Sequence, residues 1–166
     1  MVKGNESEIR AVFAIAKQSQ DNSAQQRGVD SHGTLTDAEK AKMVQELAEE
    51  LGAIVLMTGT TDYVGDREMV FAIANGHKLL GNVTGTGCVL GTTISAFVAA
   101  FPDTLVAVIA GILVFEIAAE RAAARPEVRG PGTFVPAFLD ELYLVRQETV
   151  SGDTAWRRQA RLSRVI

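Results

Sequence analysis

Residues 53–57, Ala-Ile-Val-Leu-Met, are apolar without a break and follow directly on the signature of a helix. A strand with one wet face alternates apolar and polar residues, whereas a run that is apolar at every position suits a strand covered on both faces, as in a parallel sheet. The preceding helix is marked at both ends. Thr36-Asp37-Ala38-Glu39 has the form of a capping box, Met43, Val44, Leu47 and Leu51 form an apolar stripe, and Gly52 stands where a left-handed residue stops a helix. A helix followed by a doubly covered strand implies an α/β layer fold.

Val2-Lys3-Gly4 reads as the end of a strand, and Asn5 starts a helix to about Lys17 with Ile9, Val12, Phe13 and Ala16 on one face. From Gln18 to Leu35 the chain is polar with no apolar period, so a mobile loop is expected there. Thr58-Gly59 ends the apolar strand. Thr61 to Val64 and Met69 to Ala74 read as two β-segments joined at Gly65-Asp66, and Asn75-Gly76 supplies a second turn. The pattern beyond Gly87 is helical, over about Cys88 to Ala100, Asp103 to Ala123 and Thr133 to Glu148, the last with the stripe Phe134, Phe138, Leu142 and Val145. The main domain is expected over 1–150, with a loosely attached basic tail over 151–166.

The chain has 166 residues, of which 47% are hydrophobic, enough for the core of one domain. Its net charge of −4 and scattered basic residues offer no field for a polyanion, which argues against nucleic acid as a partner. A lone cysteine fits a reducing compartment, and the first residues contain no apolar or Arg-rich targeting stretch, so a cytoplasmic protein is expected. The apolar stretch from Val89 to Phe115 is interrupted by Pro102-Asp103, and each half falls short of the roughly 20 residues that span a membrane. Two buried helices are expected there, with no membrane partner.

Folds of this class hold ligands beyond the C-terminal ends of their strands, where Lys3-Gly4-Asn5, Thr58-Gly59 and the turn before Cys88 are expected to lie. Val83-Thr84-Gly85-Thr86-Gly87-Cys88 runs into a helix, so its free amides and the helix dipole suit a phosphate or a developing anion. In that field the Cys88 thiol is a candidate base or nucleophile. The competing reading is a buried structural cysteine beside glycines needed for packing. Asn5 and Glu8 are three residues apart at a helix start, where they can hold a hydrated Mg²⁺ or simply cap the helix. Lys3 and the Thr58 hydroxyl can reach phosphate oxygens; solvation of the lysine and a turn bond of the threonine are the plain alternatives. His32 and His77 lack a second ligand at metal spacing, although either would serve a Cys-His pair if the fold brought it to the thiol. Arg129-Gly130-Pro131-Gly132 is a rigid lead-in that sets a packing angle or brings Arg129 to a nucleotide.

Taken in order, Val2-Lys3-Gly4-Asn5 with Glu8, Gly28-Val29-Asp30-Ser31, Thr58-Gly59 with Asp62-Tyr63-Val64, Asn75-Gly76-His77, Val83 to Cys88, and Arg129 to Gly132 resemble hydroxyethylthiazole kinase. The resemblance extends to about Tyr143. It implies a ribokinase-like α/β fold, a homotrimer, and Mg²⁺-dependent transfer of the ATP γ-phosphoryl group to the primary hydroxyl of 4-methyl-5-(2-hydroxyethyl)thiazole in thiamine biosynthesis and salvage. By motif position it places Lys3 and Thr58 at ATP, Gly85 at the substrate and anion, Asn5 and Glu8 in the Mg²⁺-phosphate motif, and Thr86, Gly87 and Cys88 at the reaction centre. Cys88 stands where the wider ribokinase family has an Asp base. Lys3 departs from the arginine of many members, keeping the charge without the bidentate fork.

The polar loop is longer than in compact bacterial members and resembles fungal proteins in which this kinase is fused to thiamine phosphate synthase. The resemblance also starts in the middle of the family's domain. The expected fold is therefore the C-terminal part of the sheet with its covering helices, with an open apolar sheet edge. Such a chain carries the ATP and anion-hole part of the kinase; the alternative is a non-catalytic nucleotide-binding or assembly module derived from one.

Overall fold

The computed structural model describes residues 1–20 and 35–166, with side chains from 1–17 and 35–166. The described chain separates into two units. The first comprises Met1–Ile73 and Leu162–Ile166, and the second comprises Ala74–Arg161.

The first unit contains a five-stranded sheet in the order β1 (Val2–Asn5), β2 (Val55–Thr58), β3 (Asp62–Gly65), β4 (Val70–Ile73) and β5 (Leu162–Arg164). β1 and β2 are parallel and every later pairing is antiparallel. The apolar run thus forms the expected parallel pair, and the two β-segments form the expected hairpin. Asp66 shapes that hairpin by accepting from the Glu68 and Met69 amides at 2.8 and 2.9 Å. Helices α1 (Glu6–Gln20) and α2 (Asp37–Leu51) cover one face of the sheet. Ile9, Val44, Leu47, Val55, Met57, Tyr63 and Val70 form the apolar core there. Leu56, Val64 and Ile73 are also fully buried, so the central strands have apolar residues on both faces.

The capping box of α2 is formed: the Glu39 amide donates to Thr36 Oγ1, and Thr36 N and Oγ1 both donate to Glu39 Oε2 at 2.7 Å. Those bonds hold the Glu39 carboxyl below the usual carboxylate range. Gly52 closes the helix at φ 56°. Leu51, expected in the apolar stripe, is exposed instead, as the final residue of α2 where the chain leaves the helix at Gly52. α1 continues to Gln20, three residues into the expected loop; the rest of that loop up to residue 34, with Gly28-Val29-Asp30-Ser31 and His32, lies outside the described residues.

The second unit is helical: α3 (Thr86–Ala100), α4 (Thr104–Ala123) and α5 (Pro131–Val150), preceded by a 3-10 turn over Lys78–Asn82. The long apolar stretch is two helices as expected, divided at Pro102-Asp103, with the Asp103 carboxylate accepting from Val106 N. Among the described residues no helix is long and apolar enough to cross a membrane. α3 and α4 meet closely at Gly111, where a Cβ would lie 3.1 Å from Ile94 Cα. Phe134, Phe138 and Phe115 join α4 to α5, the last two edge to face at 4.8 Å. Arg121 pairs with Glu148 across the same two helices, and Arg125, just past the end of α4, pairs with the buried Glu141 of α5.

The expectation of a loose tail is corrected. Trp156 is buried and its indole N–H donates to Thr149 Oγ1 at 2.9 Å, while β5 forms a ladder with β4. A chain terminus is often poorly ordered, but one large apolar side chain and an unpaired strand edge to join are enough to anchor a short segment.

Candidate functional site

In the first unit, the parallel register sets Asn5 opposite Thr58 at the C-terminal ends of β1 and β2. Here the sheet and the helix that follows it bring together three of the expected site residues, Asn5, Glu8 and Thr58, while Lys3 lies two residues back on β1, opposite Leu56. α1 leaves β1 without an intervening loop. Asn5 N donates to Glu8 Oε2 at 2.8 Å, and Glu8 N donates to Asn5 Oδ1 at 2.9 Å, a second capping box. The turn is so tight that a Cβ on Gly4 would lie 2.8 Å from Glu8 Cβ, so glycine is needed to let the helix fold back over the strand.

Thr58 Oγ1 donates to Gly4 O at 3.3 Å. Its hydroxyl therefore ties the two strand ends together instead of serving its own turn, as the plain reading had it. The turn after Thr58 is held by the buried Asp62, whose carboxylate accepts from Gly59 N at 2.9 Å.

This edge fits a hydrated divalent cation with a phosphate. Capping engages only one Glu8 oxygen, and among the described residues the Lys3 ammonium forms no ion pair. A carboxylate oxygen thus remains available at a helix N-terminus, where it could meet a hydrated cation.

Gly85, Thr86, Gly87 and Cys88 lie in the second unit, at the start of α3. Gly85 is the N-cap at φ 99°, and no side chain caps the helix, so the first amides of α3 keep their hydrogen-bonding capacity for a ligand. A Cβ at Gly85 would meet nothing within 4 Å, so conformation and not space demands glycine there. Thr86 Oγ1 lies 2.8 Å from Leu80 O and 3.1 Å from Val83 O, anchoring the turn to the preceding segment. Cys88 is exposed, which overturns the reading of a buried structural cysteine.

His77 forms no hydrogen bond with Cys88; its Nδ1 accepts from Leu79 N and caps the 3-10 turn. The Cys-His pair is therefore not assembled from His77. Pro131 is the first residue of α5, and Thr133 Oγ1 accepts from Arg129 N at 2.8 Å, so Arg129 to Gly132 sets the start of the helix while the Arg129 side chain is exposed.

Sequence reasoning missed Glu120 and Arg161. Glu120 accepts from Gly76 N at 2.8 Å and from Asn75 Nδ2 at 3.3 Å, and Arg161 joins the same cluster. Glu116 and Glu120 are one turn apart in an otherwise apolar stretch, a visible sign that this face of α4 meets polar groups.

The sequence model of the hydroxyethylthiazole kinase family matches residues 1–148. Hydroxyethylthiazole kinase from Pyrococcus furiosus is 44% identical over 90% of this chain and 52% of its own length. A probable thiamine biosynthetic bifunctional enzyme from Schizosaccharomyces pombe is 34% identical over 99% of the chain and 32% of its own. The solved structure of the hydroxyethylthiazole kinase protein from Pyrococcus horikoshii superposes with a TM-score of 0.76 at 32% identity, covering 99% of this chain and 54% of that one. The chain spans about half the length of these two Pyrococcus kinases. With a mixed α/β fold shared with a solved member and a sequence match over most of its length, the chain belongs to the hydroxyethylthiazole kinase family.

Proposed function

We propose that this chain carries the ATP and anion-hole part of a kinase that phosphorylates the primary hydroxyl of 4-methyl-5-(2-hydroxyethyl)thiazole. The observation that carries this reading is the match to the family over residues 1–148, which includes both the Lys3–Glu8 edge and the Gly85–Cys88 turn. Lys3 and Thr58 bind ATP, Asn5 and Glu8 hold Mg²⁺ with its phosphates through water, and Gly85 contacts the substrate. Thr86, Gly87 and Cys88 form the reaction centre. Mg²⁺ supplies neutralisation of phosphate charge when bound.

Transfer of a phosphoryl group depends on positioning and electrostatic stabilisation more than on a strong base. The uncapped amides of α3 supply the stabilisation, and Cys88 takes the proton of the attacking hydroxyl. The complete enzyme acts in the cytoplasm as a homotrimer, a reading supported by the family resemblance and the lone cysteine. Val135, Leu139 and Tyr143, exposed in one row on α5, are apolar surface of the kind that assembly covers.

Titration of the chain with Mg-ATP, followed by a turnover assay with the thiazole alcohol, tests the reading. Binding with formation of the phosphorylated alcohol supports it. Binding without turnover points to a non-catalytic nucleotide-binding or assembly module, and absence of both overturns the ATP assignment.

A further inference from the structure

We propose that Glu120, Asn75 and Arg161 are positioning residues that hold the Gly85–Cys88 turn through the Asn75–Val83 segment. This rests on the reading of that turn as the reaction end of the site. Arg161 and Gln159 lie beyond residue 148, where the family match stops, so the match assigns them no role.

The path begins at the C-terminal segment. The Arg161 guanidinium donates to Glu120 and to Ala74 O, and its backbone N–H donates to Asn75 Oδ1 at 2.7 Å. Asn75 Nδ2 donates to Gln159 O at 2.9 Å and faces both Glu120 oxygens at 3.3 Å. Gly76 N donates to Glu120 Oε1 at 2.8 Å. Asn75 is buried, so both ends of its amide need partners, and this cluster supplies them.

Gly76, at φ 101°, then turns the chain into the 3-10 segment. Leu80 N donates to His77 O at 2.9 Å, and Val83 N to Leu80 O at 3.4 Å. Leu80 O and Val83 O are the two carbonyls faced by the Thr86 hydroxyl, and Thr86 is the first residue of α3. Each step is a hydrogen bond or a short piece of chain, so a shift at Asn75 reaches the first turn of α3. A displacement of about 1 Å at a reacting group is enough to cost a large part of its rate, which is why a segment remote from the chemistry can matter to it.

Hydrogen exchange on the full chain gives a test that needs no kinase activity. The amides of Leu80, Val83 and Val89 each donate to a backbone carbonyl along this path. Glu120→Ala and Arg161→Ala are expected to speed their exchange at least about tenfold, while peptides from α2 stay unchanged. Thr86→Val should do the same at Val89, and Thr86→Ser should restore the slow rate. Combining Glu120→Ala with Thr86→Val should add little at Val89, as expected of residues acting through one path.

Arg125→Met removes the ion pair to Glu141, elsewhere in the same unit, and is the control: it should leave these amides unchanged. Glu120→Gln replaces Glu120→Ala if the latter does not fold. Unchanged exchange at Val89 in the folded Glu120 and Arg161 variants overturns the proposal, as does equal acceleration by Arg125→Met. If the exchange pattern holds while the chain neither binds nor turns over Mg-ATP, the positioning path stands and the kinase reading fails.

Discussion

Asn5 and Glu8 cap each other: the Asn5 amide N–H donates to the Glu8 carboxylate at 2.8 Å, and the Glu8 amide N–H donates to the Asn5 side chain at 2.9 Å. The competing readings of this pair at the sequence level, helix cap and metal motif, are compatible in the structure, because capping uses one Glu8 oxygen only. The second Glu8 oxygen is not used by the cap, so the cap does not preclude a water-mediated contact to a cation.

Asn5→Ala should therefore lower stability by about 1 kcal/mol, the usual cost of losing an N-cap, and should also weaken Mg-ATP binding. Gly4→Ala should cost about 1–3 kcal/mol, because its Cβ would press on Glu8 Cβ at 2.8 Å. Chemical denaturation measures the first quantities and calorimetric titration the binding. Normal stability in Gly4→Ala would show that the α1 turn relaxes freely.

Phosphoryl transfer in the complete domain should survive Cys88→Asp, since the uncapped α3 amides persist and a carboxylate also takes a proton. Gly87→Val should abolish it by placing a branched side chain among those amides. A coupled assay of ADP release, with thiazole alcohol present and absent, reads both variants. Full turnover in Gly87→Val would remove the anion-hole role.

Burial, and then the hydrogen bond to Asp37, push the Tyr63 phenol up to about 12 from 10.0. The folded state keeps this proton more tightly than the unfolded state does. Its contribution to stability is complete below pH 10 and is lost as pH rises towards 12. Urea denaturation across that window should show a fall in stability that is smaller in Tyr63→Phe. The same slope in both proteins would assign the alkaline loss to other groups.

Trp156→Ala should cost about 3–5 kcal/mol, the range for emptying a buried aromatic site. It should also release β5, seen as faster hydrogen exchange at Val165 and Ile166, whose amides donate to Val70 O. Unaltered protection there would mean that β5 holds by its ladder alone.

Much of the local architecture was legible in the chain itself. The Thr36 cap, the α2 stripe with its Gly52 stop, the apolar β2 and the Gly65-Asp66 hairpin follow from short-range chemistry, and each formed within a few residues of its expected place. The family motifs likewise marked the Lys3–Glu8 edge and the Gly85–Cys88 turn, because they are contiguous stretches with fixed spacing. What tertiary structure alone decided depends on partners distant in sequence. Thr58 spends its hydroxyl on Gly4 O, 54 residues away, and Arg161 meets Ala74 across 87. The C-terminal segment read as a loosely attached basic tail because chain termini are often poorly ordered. It is anchored because Trp156 had a place to be buried, β4 had an open edge, and the Asn75 amide needed partners that only the folded chain could bring to it.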